Sequence, residues 1–526
     1  EYHVSLNPNN MRIGEQHIVS IKSARVQLAN GEEDTVQWYQ FKIPLHGEQS
    51  SQRTVGNIHN FRSIRFIRMY MTGTEHETFL RFGTMDLVRG EWRNYSKDLY
   101  PAGKSVNPHA SLTVEKVNIE EDATRTPVNY VLPPGVSRQT DPGQMQLVAQ
   151  NEQAMSLKVM GLSPYDARAV YKNCGYDMRN YKRLQMFVHA EALLNDPDVE
   201  KLTDGEFSCF VRLGTDLANN YYEYEIPLKV TPQGRYNTDN EDDRRIVWPD
   251  ENMFDFAFAT LTDAKLSRNR AHADIHQPYV TYDKEKPENK VTVKGNPTLE
   301  EVESMMIGVR NIGNQQKNAE IWVNELRLNT FDERGGVAAM ANAALSVSDI
   351  AQLNVSGQLE TAGYGSIESN VLSRNMENNY NIAVSAAMEV GRLFPEKAHI
   401  QLPAYVSYTK QTTTPDYNPF DSDIKMKDAL DNLETTQERD SLKGMANTTS
   451  ENTSFSVTGA KINIHSKKKD MFYDPANFSV SASYNKQQDK SPEIQENTST
   501  DHKGNFTYSY NFNPQPWEPF AKMEKV

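Results

Sequence analysis

From Gly335 to Phe512 the chain alternates apolar and polar residues with a period of two. Tyr380, Ile382, Val384, Ala386, Met388 and Val390 interleave with Asn381, Ala383, Ser385, Ala387 and Glu389. Ala398, Ile400, Leu402, Ala404, Val406 and Tyr408 interleave with His399, Gln401, Pro403, Tyr405, Ser407 and Thr409. Phe506, Tyr508, Tyr510 and Phe512 do so with Asn505, Thr507, Ser509 and Asn511, and Leu353, Val355 and Leu359 with Asn354, Ser356 and Gln358. Weaker alternation runs over 337–347, 454–464 and 476–484. Successive side chains of a strand point to opposite faces, so these segments predict seven strands with one apolar and one polar face. Two folds satisfy that constraint. One is an antiparallel sandwich with a wet outer face. The other is an outer-membrane barrel, apolar to lipid and polar to its lumen.

The connections favour the barrel. They run short, long, short, long, short, long: short near Ser348–Gln352, Gly391–Lys397 and Ser466–Pro475, long over Thr361–Asn379, Lys410–Thr453 and Asn485–Gly504. Outer-membrane barrels have short periplasmic turns and long outer loops. Tyr380, Tyr408, Phe472, Tyr473 and Trp517 sit near strand ends, where interfacial aromatic girdles form. In a barrel Tyr380, Ile382, Val384, Met388, Val390, Ile400, Leu402, Val406, Tyr408, Phe506, Tyr508 and Tyr510 face lipid. Asn381, Ser385, Glu389, Gln401, Ser407, Asn505, Thr507 and Ser509 face the lumen.

The first 331 residues read differently. Short apolar and aromatic runs broken by Gly, Asn and Pro predict β structure, as in Tyr2–Leu6, Trp38–Pro44, Ile64–Met69, Leu184–Val188, Phe210–Leu213 and Tyr222–Ile226. The expected fold is all-β: a partial antiparallel β-sandwich over 1–126, a Pro-rich linker over 127–150, a jelly-roll-like β-sandwich over 151–331, and an incomplete transmembrane β-barrel over 335–526. The acidic stretch around Asn237–Arg245 reads as a surface loop. A constant offset of 239 aligns Gly56-Asn57 with Gly295-Asn296 and Met85-Asp86-Leu87 with Asn324-Glu325-Leu326. The same offset sets Ile64–Ile67 on Glu303–Met306 and Leu80-Arg81-Phe82 on Ala319-Glu320-Ile321, which predicts one shared topology for the two sandwich zones. The chain opens on Glu1 inside a strand-like run, and reads as an internal piece of a longer protein.

Composition excludes several classes. Among 526 residues the mean hydropathy is −0.70, and no run approaches the roughly 20 apolar residues of a membrane helix. The net charge of −14, without a basic stripe, disfavours nucleic acid and anionic lipid surfaces. Two cysteines build neither a disulfide framework nor a zinc site. Cys174 and Cys209 could pair in an oxidising compartment or stay as buried thiols.

No motif of catalysis stands up. Gly103-Lys104-Ser105 lacks the upstream glycine of a phosphate loop, since position 98 is Asp98. His272, Asp274 and His276 lack a further ligand at metal spacing. Asp416, Asn418, Asp421 and Asp423 form an acidic turn with calcium-type oxygens, but Phe420 and the missing glycine break the EF-loop pattern. No catalytic residue, cofactor or metal is expected.

Several longer strings resemble one family. NYYEYEIPLKVTP (Asn220–Pro232), FVRLGTD (Phe210–Asp216), AEIWVNELRL (Ala319–Leu328), GYGSIE (Gly363–Glu368) and PDYNPFDSDI (Pro415–Ile424) are similar to the SprA/Sov family, as are YVLPPGV (Tyr130–Val136) and FLRFGTMDLVRGEW (Phe79–Trp92). That family is the outer-membrane translocon of the type IX secretion system of Bacteroidota, also called a gliding or cell-surface protein. The resemblance implies a wide pore that exports folded cargo bearing a C-terminal sorting domain. It implies a PorV-like shuttle barrel and a periplasmic plug protein as partners, outer-membrane lipid around the wall, and no catalysis. The competing class is a secreted multi-sandwich adhesin that grips glycans.

Overall fold

The computed structural model describes residues 1–12, 15–27, 31–43, 45, 66–85, 91–100, 106–140, 149–193, 201–368, 370, 374–466 and 470–512. The chain is mostly β, 47% strand against 12% helix, in several antiparallel sheets of which none closes. It divides into two compact units, Glu1–Val88 and Arg89–Val526.

The first unit holds an antiparallel hairpin of β1 (Ile18–Gln27) and β2 (Glu33–Phe41). Residues 66–85 carry no strand, and Phe66, Phe79 and Phe82 are exposed. At the offset of 239 these residues correspond to 305–324, which are paired strands of the second unit. The expected equivalence therefore fails over the described residues. The remainder of that match, 56–65 and 86–89, lies outside the described residues, as do Gly103-Lys104-Ser105 and Trp517. At the start of the chain, Tyr2 makes a lone bridge rather than a strand.

The second unit begins with β3 (Arg93–Asn94), β4 (Ser111–Asn118), β5 (Gln153–Leu162), β6 (Ala167–Tyr176), β7 (Tyr181–Ala192), β8 (Phe207–Gly214) and β9 (Tyr221–Pro227). There follow α1 (Glu241–Val247), β10 (Phe254–Ala257), α2 (Phe258–Arg270), β11 (Tyr279–Tyr282), β12 (Lys290–Lys294), β13 (Val302–Asn311) and β14 (Lys317–Phe331). These form a five-stranded sheet, β10-β7-β14-β5-β4, and a seven-stranded sheet, β11-β12-β9-β8-β13-β6-β3. Leu157, Val159, Leu184 and Ile321 from the first share one hydrophobic cluster with Val211, Tyr224, Val291 and Ile307 from the second, all 0–1% exposed. We call this the two-sheet body.

The outer faces of the body are covered as well. The first part of the stretch read as a linker, 127–136, is part of the core. Val128, Tyr130 and Val131 are buried against Trp248 and Trp322 on the outside of the five-stranded sheet. Its backbone is satisfied there: Trp248 Nε1 donates to Val131 O (2.9 Å), and Leu132 N donates to Thr238 Oγ1 (3.1 Å). Prolines removed the periodicity, not the burial. β4 likewise joins β5, so the body reaches back before residue 126. The acidic stretch 237–245 is not all loop. Asn240 caps α1, with Glu241, Asp242 and Asp243 in its first turn, where the helix dipole favours them.

On the outside of the seven-stranded sheet runs a buried row of charge. Arg212 and Arg310 hold Glu223 at 2.6 and 3.1 Å, and Arg310 and Lys290 both contact Glu225. The two guanidiniums stack over Tyr221 (3.8 Å) and Phe210 (4.6 Å). Burial alone would push the Glu223 carboxyl up, but Arg310 and Arg212 overcome it and hold the group well below the usual range. This stabilisation is complete above the unfolded value, about 4.3, and is lost as pH falls from there through the folded value, about 2. Protection factors of the β8, β9 and β13 amides, corrected for the pH dependence of intrinsic exchange, should therefore fall over that interval. Glu223→Gln should weaken the body at neutral pH and flatten that dependence. An unchanged acid slope in the variant would assign it to another group.

Beyond the body come β15 (Ala338–Val347), β16 (Ala351–Glu360), β17 (Glu377–Glu389), β18 (Ile400–Gln401), β19 (Pro403–Pro415), β20 (Tyr417–Asn418) and β21 (Asp421–Lys425). After them lie α3 (Met426–Asp431), α4 (Thr436–Ala446), β22 (Thr448–Ile462), β23 (Phe478–Lys490) and β24 (Asn497–Tyr508). An antiparallel meander runs β15-β16-β17-β19-β22-β23-β24, with β18 paired to β22. Six of the seven long strands thus overlap the segments where alternation placed them, while the seventh, β24, starts earlier and ends at Tyr508, so only 505–508 of the expected 505–512 are strand. The last expected long loop is a short connection, 491–496, because β23 and β24 pair through most of Asn485–Gly504. Both faces are polar there, so the period-two signal vanishes while the hydrogen bonds continue.

Candidate functional site: a two-faced sheet and its strap

Register decides which residues share a face, because directly paired residues point the same way. One rung of the meander reads Ala344, Asn354, Ser385, Ser407, Ser454, Asn485 and Asp501, polar in every strand but β15. Ser454 Oγ donates to Asn485 Oδ1 across it (2.7 Å). Neighbouring rungs of this face add Gln352, Ser356, Asn381, Thr409, Asn452, Ser456, Ser483, Gln487 and Asn505.

The opposite face is apolar along a band. Leu345, Leu353, Ala386, Val406, Phe455 and Tyr484 form one rung. Among the described residues nothing covers it. Ile382 is 52% exposed and Val480 50%, whereas Val211 in the body is 1% exposed. Leu345, Val355, Val406, Phe455 and Phe506 are exposed too. The band crosses the strands obliquely. Pairing sets Val384 level with Tyr408, Thr453, Lys486 and Thr500. Yet the apolar residues of β23 and β24 are Phe478, Val480, Phe506 and Tyr508, displaced toward the end where β17 and β19 are joined by 390–402. A bulge at Gly459 (φ +67°) lets Ala460 oppose Val480 after Val457 opposes Ala482, which keeps both on the apolar face.

The structure brings most of the expected residues together. Tyr380, Ile382, Val384, Met388, Val406 and Tyr408 share one face of β17 and β19, and Asn381, Ser385 and Ser407 share the other. Phe506 and Tyr508 lie with the apolar set, Asn505 and Thr507 with the polar set. Val390, Glu389, Ile400, Gln401 and Leu402 gather at a strand end. Val390 begins a 3-10 turn, Leu402 N donates to Glu389 Oε1 (2.7 Å), and Ile400 and Gln401 form β18. Ser509 and Tyr510 lie past β24, where Ser509 N donates to Asn477 O and Tyr510 OH to Asp470 O.

The β19–β22 connection is a strap onto the two-sheet body, and sequence reasoning missed it. Lys265 of α2, 0% exposed, donates to Pro297 O (2.8 Å) and ion-pairs with Asp421 and Asp423 (3.0 Å to the latter). Tyr222 OH donates to Asp423 Oδ2 (2.6 Å). Beside them Thr298 Oγ1 meets Ser422 Oγ (3.0 Å), and Arg179 donates to Ser422 O (3.1 Å) while lying over the Tyr417 ring (5.0 Å). Arg270 donates to Asn432 Oδ1, and Arg334 pairs with Asp416 (3.3 Å). Burial, then Asp423, hold the Asp421 carboxyl above its usual range although Lys265 pulls it down. The acidic turn is thus filled by a lysine ammonium. Its oxygens do not gather as a calcium shell, because two of them are spent on Lys265 and Asp416 faces Arg334.

His272, Asp274 and His276 lie in an exposed turn, in which His276 N donates to Asp274 Oδ1 (2.9 Å). The described residues hold one compact ligand group, His465, Asp470 and Asp474. There Asp474 already accepts from Ser466 and Met471 and organises its own turn. Cys174 and Cys209 are free thiols, the latter buried. No described helix is long and apolar enough to cross a membrane.

A family model described as motility related/secretion protein, SprA_N, matches residues 1–430. The chain belongs to that family, whose role lies in motility and secretion rather than in an enzymatic reaction. No curated protein matches the chain.

Removing one partner of a buried ion pair leaves the other charge unpaired, at about 3–5 kcal/mol. Lys265→Met should loosen the strap by that order, read as faster hydrogen exchange over 416–432. Adding Asp421→Asn and Asp423→Asn should recover part of the loss. Equal exchange in wild type and Lys265→Met would show that apolar contacts alone hold the strap.

Proposed function

We propose that the two-faced sheet is part of the wall of an outer-membrane barrel in the type IX protein-conducting translocon. It would export folded cargo with a C-terminal sorting domain to the cell surface. The observation that carries this is the uncovered, oblique apolar band backed by a face that is mostly Ser, Asn, Gln and Thr, with Met340, Tyr405 and a few alanines among them. Barrel strands tilt by about 35–45° to the membrane normal, so a band level with the bilayer has to cross them obliquely. An adhesin sandwich would have to bury the same band under a second sheet. The polar face offers Ser, Asn, Gln and Thr side chains to a water-filled lumen, a surface along which a folded protein slides without sticking.

The two-sheet body would be a β-sandwich outside the bilayer. Its strap and its link to β15 both meet the wall at the end where β19, β22, β23 and β24 run on with two polar faces. That end carries the long connections 361–376 and 416–447, which in such barrels lie outside the cell. Phe472, Tyr473, Phe478 and Tyr508 cluster at the other end and would form the periplasmic girdle. A PorV-like shuttle, a periplasmic plug and the cargo are the partners this assignment requires.

Charge placement tests the wall. Val384→Arg near the midplane should cost about 2–4 kcal/mol, and Ser385→Arg close to nothing. In the full-length protein in cells lacking the plug, single cysteines at 382, 384 and 388 should resist a water-soluble thiol reagent. Those at 381, 385 and 389 should react. Equal labelling of both sets would remove the wall and the transport function with it.

A further inference from the structure

The two-sheet body and the wall are joined by two segments. One is the connection from β14 to β15, residues 332–337, which has no strand; it is tied to the body by Asp332 N donating to Asn180 O and to the wall by Val337 N donating to Thr361 Oγ1 and by Gly336 packed on Tyr364, and between these anchors Gly335 stands in open space. The other is the strap. The carboxylates of its buried cluster, Asp421 and Asp423, lie on the strap, and the cations that face them, Lys265 and the nearby Arg268, lie on the body, while Asp416 pairs with Arg334 of the other connection. Separation therefore leaves each side with charges that water can hydrate. Lys265 keeps the Pro297 carbonyl, and Tyr222 regains water. The buried apolar residues that the strap's first half contributes are only Ile424, Met426 and Ala429. Contacts between domains that are polar and modest in size permit relative motion, and buried ionic groups are best attested as devices that fix register or switch state.

We propose that the strap is a releasable latch. Closed, it fixes the body at the loop end of the wall. Open, it lets the body swing about Gly335 and changes access to the mouth. What the swing serves rests on the transport function proposed above, while the latch itself can be tested without it.

In the full-length protein in lipid, spin labels at the exposed positions 303 and 487 report the spacing of body and wall. Wild type should give one narrow distance distribution. Lys265→Met should broaden it, and so should the milder Asp421→Asn, which spares the buried ammonium. Thr298→Cys with Ser422→Cys, whose hydroxyls already meet at 3.0 Å, should close as a disulfide and narrow the Lys265→Met distribution again. Unchanged exchange in β8 and β13 excludes misfolding of the body. A distribution that stays narrow in both single variants overturns the latch, whatever the protein transports. The oxidised double cysteine in an otherwise wild-type chain should also cut cargo delivery to the cell surface at least tenfold, with recovery on adding reductant. Undiminished delivery from the oxidised protein overturns the swing and leaves the translocon assignment standing. Wild-type delivery in cells lacking this protein altogether would instead overturn that assignment.

Discussion

A β-sheet with one apolar face has to put that face somewhere, and the two halves of the second unit answer differently. The two-sheet body turns its apolar residues inward, where Val211, Tyr224 and Ile307 lose nearly all contact with water. It even covers its outer faces, with Trp248 and the 127–136 segment on one side and a guanidinium–carboxylate row on the other. The meander covers nothing. At about 25 cal/mol per Å², leaving a band of Ile, Val, Leu and Phe across seven strands in water is costly. The lipid-facing wall proposed above would remove that cost.

The strap follows from having these two solutions in one chain. A body that is saturated with internal contacts has little apolar surface left to offer the meander. The junction is therefore made with charge: an ammonium between two carboxylates, a phenol donating to one of them, and a guanidinium over a tyrosine. Such groups define one register sharply while contributing little net binding.

Much of the meander was legible in the sequence because period-two alternation reports directly on face and register. Tyr380 to Met388 and Ala404 to Tyr408 fell on the faces their parity assigned. Strand ends were less legible where both faces turn polar, as over Lys486–Lys490 and Thr498–Thr500, because the signal is contrast and not pairing. The 127–136 segment was misread because prolines and glycines mark turns but say nothing of burial. Lys265 was invisible for a different reason. Its partners stand more than 150 positions away, and nothing in an α-helical lysine announces a buried one. The hint lay in PDYNPFDSDI, an acidic turn with two closely spaced aspartates and no metal pattern, which needs a cation from elsewhere in the fold.

The obliqueness of the band is the most direct thing to measure, since it separates depth in a bilayer from position along the ladder. In the full-length protein reconstituted with acyl-brominated lipid, single tryptophans would be placed at 384, 480 and 486. Val480 and Lys486 are on the same strand and face, roughly 20 Å apart at about 3.3 Å per residue. Lys486 is level with Val384 in the ladder, whereas Val480 is level with it only along the band. A tilted wall in lipid quenches tryptophan at 384 and 480 and spares 486. Quenching at 384 and 486 with none at 480, or at none of the three, would contradict it.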